Sequence, residues 1–400
     1  MLKRINVTHV KTGMYIHEFC GSWLNHPFWR TQFLLSDPED LRLIRESAVR
    51  EVWIDTERGL DVGAKETVEA AQSIPVPPPS QDPESKPASM REEMARAAKI
   101  CDKARQSVTS MFQEARMGKA VDPSQSMTLV SDISQSMARN PGALVSLARL
   151  KTADNYTYMH SVAVSALMMA LARQMQFSEE DVRDIGLAGL IHDIGKMQVP
   201  LEILNKNGKL TDEEFTIMKS HPMKGYEILK QSGTVSERVM DVCLSHHEKL
   251  DGSGYPNRIA EKKISPFARM GAICDVYDAI TSVRPYKNGW DPAESLHKMS
   301  EWTGHLDMYL FRAFVKSLGI YPVGSLVRLN SGRMGVVIEQ SQKSLLTPKL
   351  RVFFSTRSKA RIQPEIVDLS RPNCPEKIVA REEPENWNFS DLDHLWAIPA

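Results

Sequence analysis

The sequence has no surplus of charge of either sign. Fifty Lys and Arg balance fifty Asp and Glu over 400 residues, for a formal net charge of zero. A protein whose main task is holding duplex nucleic acid relies on an excess of cations that displace counterions, so this composition argues against that class. Cysteine is scarce too. Cys20, Cys101, Cys243, Cys274 and Cys374 are an odd number, far apart, with no C-x-x-C pair. Neither a disulfide framework nor a thiolate-bound zinc site fits such spacing, and a reducing cytoplasm is the expected location. Long apolar runs are missing as well. The richest, VAVSALMMALA at 162–172, is broken by Arg173, well short of the ~18 residues a membrane-spanning helix needs. The opening MLKRINVTHV has none of the apolar core of a signal peptide. A soluble chain without a membrane span is expected, and no internal repeat is evident.

At roughly 150 residues per domain the length allows two or three domains, and the composition changes along the chain accordingly. Residues 1–72 read as a small α+β module: strands at 5–10 and 14–19, a helix over 38–47 (PEDLRLIRES) and a closing strand at 50–54 (REVWI). Residues 73–89 hold six prolines and little apolar bulk, the composition of a semi-extended linker. Residues 90–320 read as helices. Met90, Met94, Ala97, Cys101, Ala104, Val108, Met111 and Ala115 recur at spacings of four and three. Such a seam packs on its own domain by default, the alternative being a homodimer contact. After Tyr321 the pattern turns to strands, GSLVRL, MGVVIE and LRVFFS, with a hairpin turn at 330–333. Residues 321–372 carry nine Lys/Arg against three Asp/Glu, and the tail 373–400 carries six acidic residues against two basic. The net neutrality is therefore an average over a basic β segment and an acidic tail.

Five of the eleven histidines fall between 160 and 247: His160, His192, His221, His246 and His247. His192-Asp193 closes an apolar helix, and Asp275 lies in the otherwise apolar FARMGAICDVYDAITS. A lone helical His is more often a hydrogen-bonded core residue. Five of them with two buried carboxylates are hard to place without a cation, because burying an unpaired carboxylate is costly. Imidazole and carboxylate donors without thiolate suit iron or manganese, and Asp193 is able to bridge two ions. Paired metals serve in-line displacement at phosphorus, and Lys196, one turn from His192, is placed to neutralise charge on phosphoryl oxygens. Phosphodiester cleavage is the leading chemistry.

HDIGK at 192–196, HPMKG at 221–225, HHEKLDGSGYP at 246–256, CDVYDAITS at 274–282 and RPYK at 284–287 together resemble the HD-GYP family, the bacterial cyclic-di-GMP phosphodiesterases of the HD superfamily. The resemblance covers about 150–330. Residues 1–70 are similar to an uncharacterised domain often found ahead of HD-GYP domains, and the β segment resembles the region found after HD-GYP domains in such proteins.

The resemblance implies an all-α HD-type metallophosphohydrolase domain over 90–320. In it, His160, His192, Asp193, His221, His246, His247 and Asp275 ligate two divalent ions, Fe or Mn, with Asp193 bridging. Lys196 would act beside the metals with Asp193, and Arg284 and Lys287 would contact the substrate phosphates, unless they are only helix-end cations. Asp251, Gly252, Gly254, Tyr255 and Pro256 would form the GYP loop, which docks diguanylate cyclase (GGDEF) proteins and shapes the site, or serves only as a tight turn. Some members carry a Glu one turn before the first His that recruits a third metal; here that place is Tyr156, which implies two ions. The implied reaction is hydrolysis of cyclic-di-GMP to linear pGpG, with further conversion to GMP left open. The alternative is a cyclic-di-GMP-binding effector with little turnover that signals through its N-terminal domain. His9, His17 and His26 are scattered and suggest no metal site there.

Overall fold

Alternation in EVWID puts Val52 and Ile54 on one face of a strand, and both are fully buried while Glu51, Trp53 and Asp55 are half-exposed. The computed structural model describes residues 2–20, 33–35, 41–42, 44–45, 49–62, 88–119, 121–122, 126–149, 156–206, 208–282, 289–341, 344–389 and 391–397. The chain divides into two units, 1–82 and 83–400.

In the first unit, β1 (Leu2–Asn6), β2 (Tyr15–Phe19), β3 (Phe33–Leu34) and β4 (Glu51–Asp55) form an antiparallel sheet in the order β1-β4-β2-β3. Its core gathers Ile5, Val10, Met14, Ile16, Leu35, Ile44, Val52 and Ile54. The strand expected over 5–10 stops at Asn6. There the Asn6 Oδ1 accepts the Thr8 N–H at 3.0 Å and starts a 3-10 turn, Val7–His9. Of the helix expected over 38–47, residues 41–42 and 44–45 are helical and the others lie outside the described residues, as does most of the Pro-rich segment.

The second unit opens with α1 (Met90–Arg116), capped by a Ser89/Glu92 capping box. Its seam is covered by its own domain. Met94, Ala97, Cys101, Ala104, Val108, Met111 and Ala115 are buried, and α1 packs against α2 (Met127–Arg139), α3 (Pro141–Arg149) and α4 (Tyr156–Gln174). Next come α5 (Glu179–Ile191), a 3-10 turn at Ile194–Gln198, α6 (Leu201–Leu204), α7 (Asp212–Met218), α8 (His221–Ser232) and α9 (Glu237–Ser245). The helical part ends with α10 (Pro266–Thr281), α11 (Pro292–Glu301) and α12 (Met308–Leu318). α4 is apolar and buried nearly all round from Met159 to Ala172, and α10 is almost as enclosed. Such helices belong at the centre of a bundle, and here α5, α9 and α12 surround them. Among the described residues no helix is long and apolar enough to cross a membrane.

Beyond the helices lies a five-stranded antiparallel sheet, in the order β8-β7-β6-β5-β9. The three strands expected from sequence are β5 (Leu326–Leu329), β6 (Arg333–Glu339) and β7 (Lys349–Ser355). β8 (Ala360–Asp368) is an exposed edge strand whose Pro364 needs no ladder partner. β9 (Ile378–Arg381) comes from the acidic segment and pairs with β5, while α13 (Leu392–Ala397) packs on β6. Of residues 373–400, read from sequence as a tail, the described ones, 373–389 and 391–397, are thus part of the sheet's own body.

That placement explains the uneven charge. Arg328 pairs with Glu382 at 2.6 Å, Arg333 with Glu376 at 2.7 Å and Arg361 with Asp391, so the acidic end neutralises the basic strands within one body. Trp396 joins Val323, Val336 and Met90 beneath the sheet, and the Arg149 guanidinium lies 5.1 Å from its ring centroid while donating to Val323 O at 2.6 Å. Trp396→Ala is expected to cost about 3 kcal/mol of stability, read by guanidinium unfolding. A loss under about 0.5 kcal/mol would show that the terminal helix does not anchor the sheet.

Candidate metal centre

α5 runs apolar to its last residue, so the chain turns at His192 with both His192 and Asp193 enclosed. The following 3-10 turn brings Gly195 against α8. A Cβ at Gly195 would sit 1.9 Å from His221 O and 2.4 Å from Gly225 N, so only glycine lets these two backbones meet. That contact delivers His221, at the start of α8, to Asp193. His246 and His247 lie just past the end of α9, His160 comes from α4 and Asp275 from α10.

These seven side chains converge into two groups joined at Asp193. His160, His192 and Asp275 form one, and Asp193, His221, His246 and His247 the other; within each, the donor atoms lie within 4.8 Å of one another. The Asp193 carboxylate faces both. Its Oδ2 is 3.4 Å from both His160 Nε2 and His192 Nε2, and its Oδ1 is 3.2 Å from His221 Nε2 and 3.8 Å from His246 Nε2. Asp275 Oδ1 lies 3.1 Å from His160 Nε2. All are buried except His247, whose side chain is 22% exposed. None of the five cysteines belongs to either group.

The ring nitrogens turned away from the centre set the tautomers. His192 Nδ1 lies 2.8 Å from Gly189 O, His221 Nδ1 2.8 Å from Met218 O, and His246 Nδ1 3.0 Å from both Val242 O and Cys243 O. A carbonyl only accepts, so Nδ1 carries a proton and Nε2 is the nitrogen left facing inward. His221 Nε2 is 3.4 Å from His246 Nε2, and both His192 Nε2 and Asp193 Oδ1 are buried without a hydrogen-bond partner. Buried orphans of that kind are costly, and a divalent cation satisfies all of them together. The donor set fits such an ion.

Charge at the site is polarised. Burial opposes a proton on His160 and His192, but Asp193, Asp275 and Asp278 outweigh it, raising His160 to about 10 and His192 to about 9. On the other side burial prevails, holding His247 near 3 and His246 well below its ordinary value. Asp193 and Asp275 are buried, yet the neighbouring Lys196 and imidazoles keep both carboxyls well below the usual range. Lys196 Nζ donates to Asp193 Oδ2 at 2.5 Å.

The segment 251–256 roofs the second group. Tyr255 stacks on His247 with ring centroids 4.6 Å apart, and the Tyr255 N–H donates to His247 O at 3.1 Å. Gly252 has φ +76°, and a Cβ at Gly254 would strike the Lys249 N at 2.4 Å. Asp251 accepts the Ser253 N–H at 2.8 Å, and the Tyr255–Pro256 peptide is cis. Arg284 and Lys287 lie outside the described residues, as does the side chain of Tyr156.

Two buried acids carry structure that the sequence reading gave no role. Asp278 Oδ2 meets His160 Nδ1 at 2.6 Å, and the signal was its place one helical turn after Asp275. Glu248 Oε1 accepts the Asn257 N–H at 2.6 Å, tying the 251–256 segment to the end of α9; its signal was the acid adjoining the His246-His247 pair.

Residues 132–310 match the HD domain family, and residues 2–125 match a domain of unknown function (DUF3391). A cyclic di-GMP phosphodiesterase of Pseudomonas aeruginosa is 55% identical over 397 residues, 99% of this chain and 96% of its own length. The chain belongs to the HD-GYP family. Further similar proteins are the cyclic di-GMP phosphodiesterase response regulator RpfG of Xanthomonas campestris and a cyclic di-GMP phosphodiesterase of Thermotoga maritima. The first is 37% identical over 44% of this chain and 48% of its own, the second 39% over 38% and 42%.

Ion uptake at this HD-GYP site should be proton-coupled. Folded-state values raised to about 10 and 9 mean that His160 and His192 carry protons at neutral pH before an ion arrives. Binding therefore releases about two protons, and apparent affinity falls as pH falls. Calorimetric titration with Mn(II) at pH 7.5 in two buffers of different ionisation enthalpy measures the release. Identical heats in both would contradict this charge distribution.

Proposed function

We propose that this protein is a metal-dependent cyclic di-GMP phosphodiesterase that opens the ring by hydrolysing one P–O3′ bond, leaving linear pGpG. The observation that carries the reading is the Asp193 carboxylate, set between two groups of inward-facing ligand atoms. The full-length relative supports the substrate.

Two divalent ions fit the donor set, iron or manganese by ligand type. His160, His192 and Asp275 would hold one, His221, His246 and His247 the other, with Asp193 shared; Tyr156 in place of a carboxylate favours two ions over three. Bound there, such ions supply Lewis-acid polarisation of the phosphoryl oxygens and a lowered pKa for water. The chain's own residues do the rest. Lys196, its Nζ beside the shared carboxylate, offers positive charge to the phosphoryl oxygens as they gain it. Tyr255 covers His247 and narrows access from that side. Arg284 and Lys287, by their place in RPYK, hold the substrate phosphates. The 251–256 loop is also the docking surface for GGDEF proteins, the N-terminal module regulates or recruits, and the protein works in the cytoplasm.

Anaerobically metal-loaded protein incubated with cyclic di-GMP and resolved by nucleotide chromatography tests the reading. Unmodified protein should yield pGpG under multiple turnover. Asp193→Ala should lose both ions and activity. Lys196→Ala should keep the ions and lose about 10²- to 10³-fold in kcat. Intact nucleotide at stoichiometric protein would mark a binding effector instead, and native metal content with unchanged turnover in Asp193→Ala would sink the mechanism.

A further inference from the structure

We propose that Asp278 is a positioning residue that makes the two ion positions unequal: with the competing protons accounted for, the His160–His192–Asp275 position binds its ion the more tightly, and the His221–His246–His247 position is the exchangeable one. The inference rests on the two-ion reading above and goes beyond it to the relative affinity of the two positions.

The asymmetry lies behind the ligands. His192, His221 and His246 each set Nδ1 against backbone carbonyls, at 2.8 to 3.0 Å. His160 sets its Nδ1 against a carboxylate, Asp278 Oδ2, at 2.6 Å. Asp278 is 1% exposed and sits one turn after Asp275 on α10. Its Oδ1 accepts the Ser282 hydroxyl at 3.4 Å, and the Ser282 N–H donates to Asp278 O at 3.1 Å, so the first residue beyond the helix holds the carboxylate in place. Asp278 reaches the ring from the side opposite Asp193 and Asp275, which face Nε2. It therefore acts through His160 and does not ligate.

A carbonyl offers the imidazole a dipole, whereas a carboxylate offers a full negative charge. The ring backed by the carboxylate becomes the stronger base at Nε2 and the more firmly aimed one, an effect of about 10- to 100-fold in metal affinity. Formal charge favours the same side even after the Lys196 ammonium on Asp193 Oδ2 is counted there. The His160 group has Asp275 at 3.1 Å, a share of Asp193 and Asp278 behind, whereas the His221 group has its share of Asp193 and meets Asp275 only at 3.9 Å from His247 Nδ1. The His160 group is also the more enclosed, since His247 is the most exposed of the ligand side chains. A tight ion and an exchangeable one would make the active fraction follow the free concentration of the metal, because cleavage needs both.

The test titrates the full-length, metal-free chain anaerobically with Mn(II), reading free Mn(II) by electron paramagnetic resonance alongside calorimetry. The unmodified chain should bind two ions in unequal steps. Asp278→Asn, isosteric and still an acceptor, should weaken the tighter step by about 10- to 100-fold and leave the weaker one in place. Ser282→Ala, which removes one hydrogen bond to the carboxylate without removing its charge, should weaken the same step to a smaller degree and keeps the test open if Asp278→Asn fails to fold. His247→Ala should retain the tighter step and lose the weaker. Unchanged steps in Asp278→Asn and Ser282→Ala, or loss of the weaker step alone in either, would overturn the inference while the two-ion reading stands. An unmodified chain that takes up no more than one ion would overturn both.

Discussion

The Asp193 carboxylate is buried where only a cation makes it tolerable, and much of the helical domain is organised around that fact. Isolated, such a group would neutralise or force the structure apart. Here Lys196 touches one oxygen while the adjoining His192 and imidazoles from three other segments approach both. Three of those rings set their Nδ1 atoms against backbone carbonyls, which leaves their Nε2 atoms facing the carboxylate and one another. The arrangement is unfavourable as a hydrogen-bond network and favourable as a ligand shell. Burial, tautomer and orphaned acceptors thus point to the same positive charge.

The surrounding fold keeps these donors from relaxing apart. α4 and α10 are apolar on nearly every side, so His160, Asp275 and Asp278, which they carry, cannot rotate to solvent without exposing core. Gly195 and the backbone of α8 leave no room for a side chain between them, which fixes the distance from Asp193 to His221. Glu248 pins the 251–256 loop so that Tyr255 lies over His247. The C-terminal sheet joins the same unit through the Arg149 contact with Val323 and Trp396, and through an ion pair between Arg381 and Glu294 of α11. It sits against the helices at the end of the chain and contributes no donor to either group.

Much of this was legible in the sequence where chemistry is local. His192-Asp193 at the end of an apolar helix and Asp275 inside one violate the burial rule, and such violations mark sites. The burial of the α1 seam agrees with its three–four spacing. What stayed hidden depends on partners distant in sequence. Asp278 looks like a second acid on Asp275's helix until His160, 118 positions away, is found against it. Glu93 sits inside a charged stretch, yet it is fully buried because Arg139 forks onto both its oxygens. β8 shows no alternation because it is an edge strand, and residues 373–400 read as a tail because their partners lie some 50 positions earlier. The strand expected to run through Val10 ended early because a single Asn side chain competed for the backbone.

The most direct test of the account is anomalous diffraction from crystals of protein purified without oxygen, with data collected at the iron and manganese absorption edges. Two peaks are predicted, about 3.5 to 4 Å apart, one beside His160, His192 and Asp275, the other beside His221, His246 and His247, with Asp193 contacting both. A single peak, or two peaks that Asp193 does not bridge, would contradict the claim that this buried carboxylate is the shared ligand of a two-ion site.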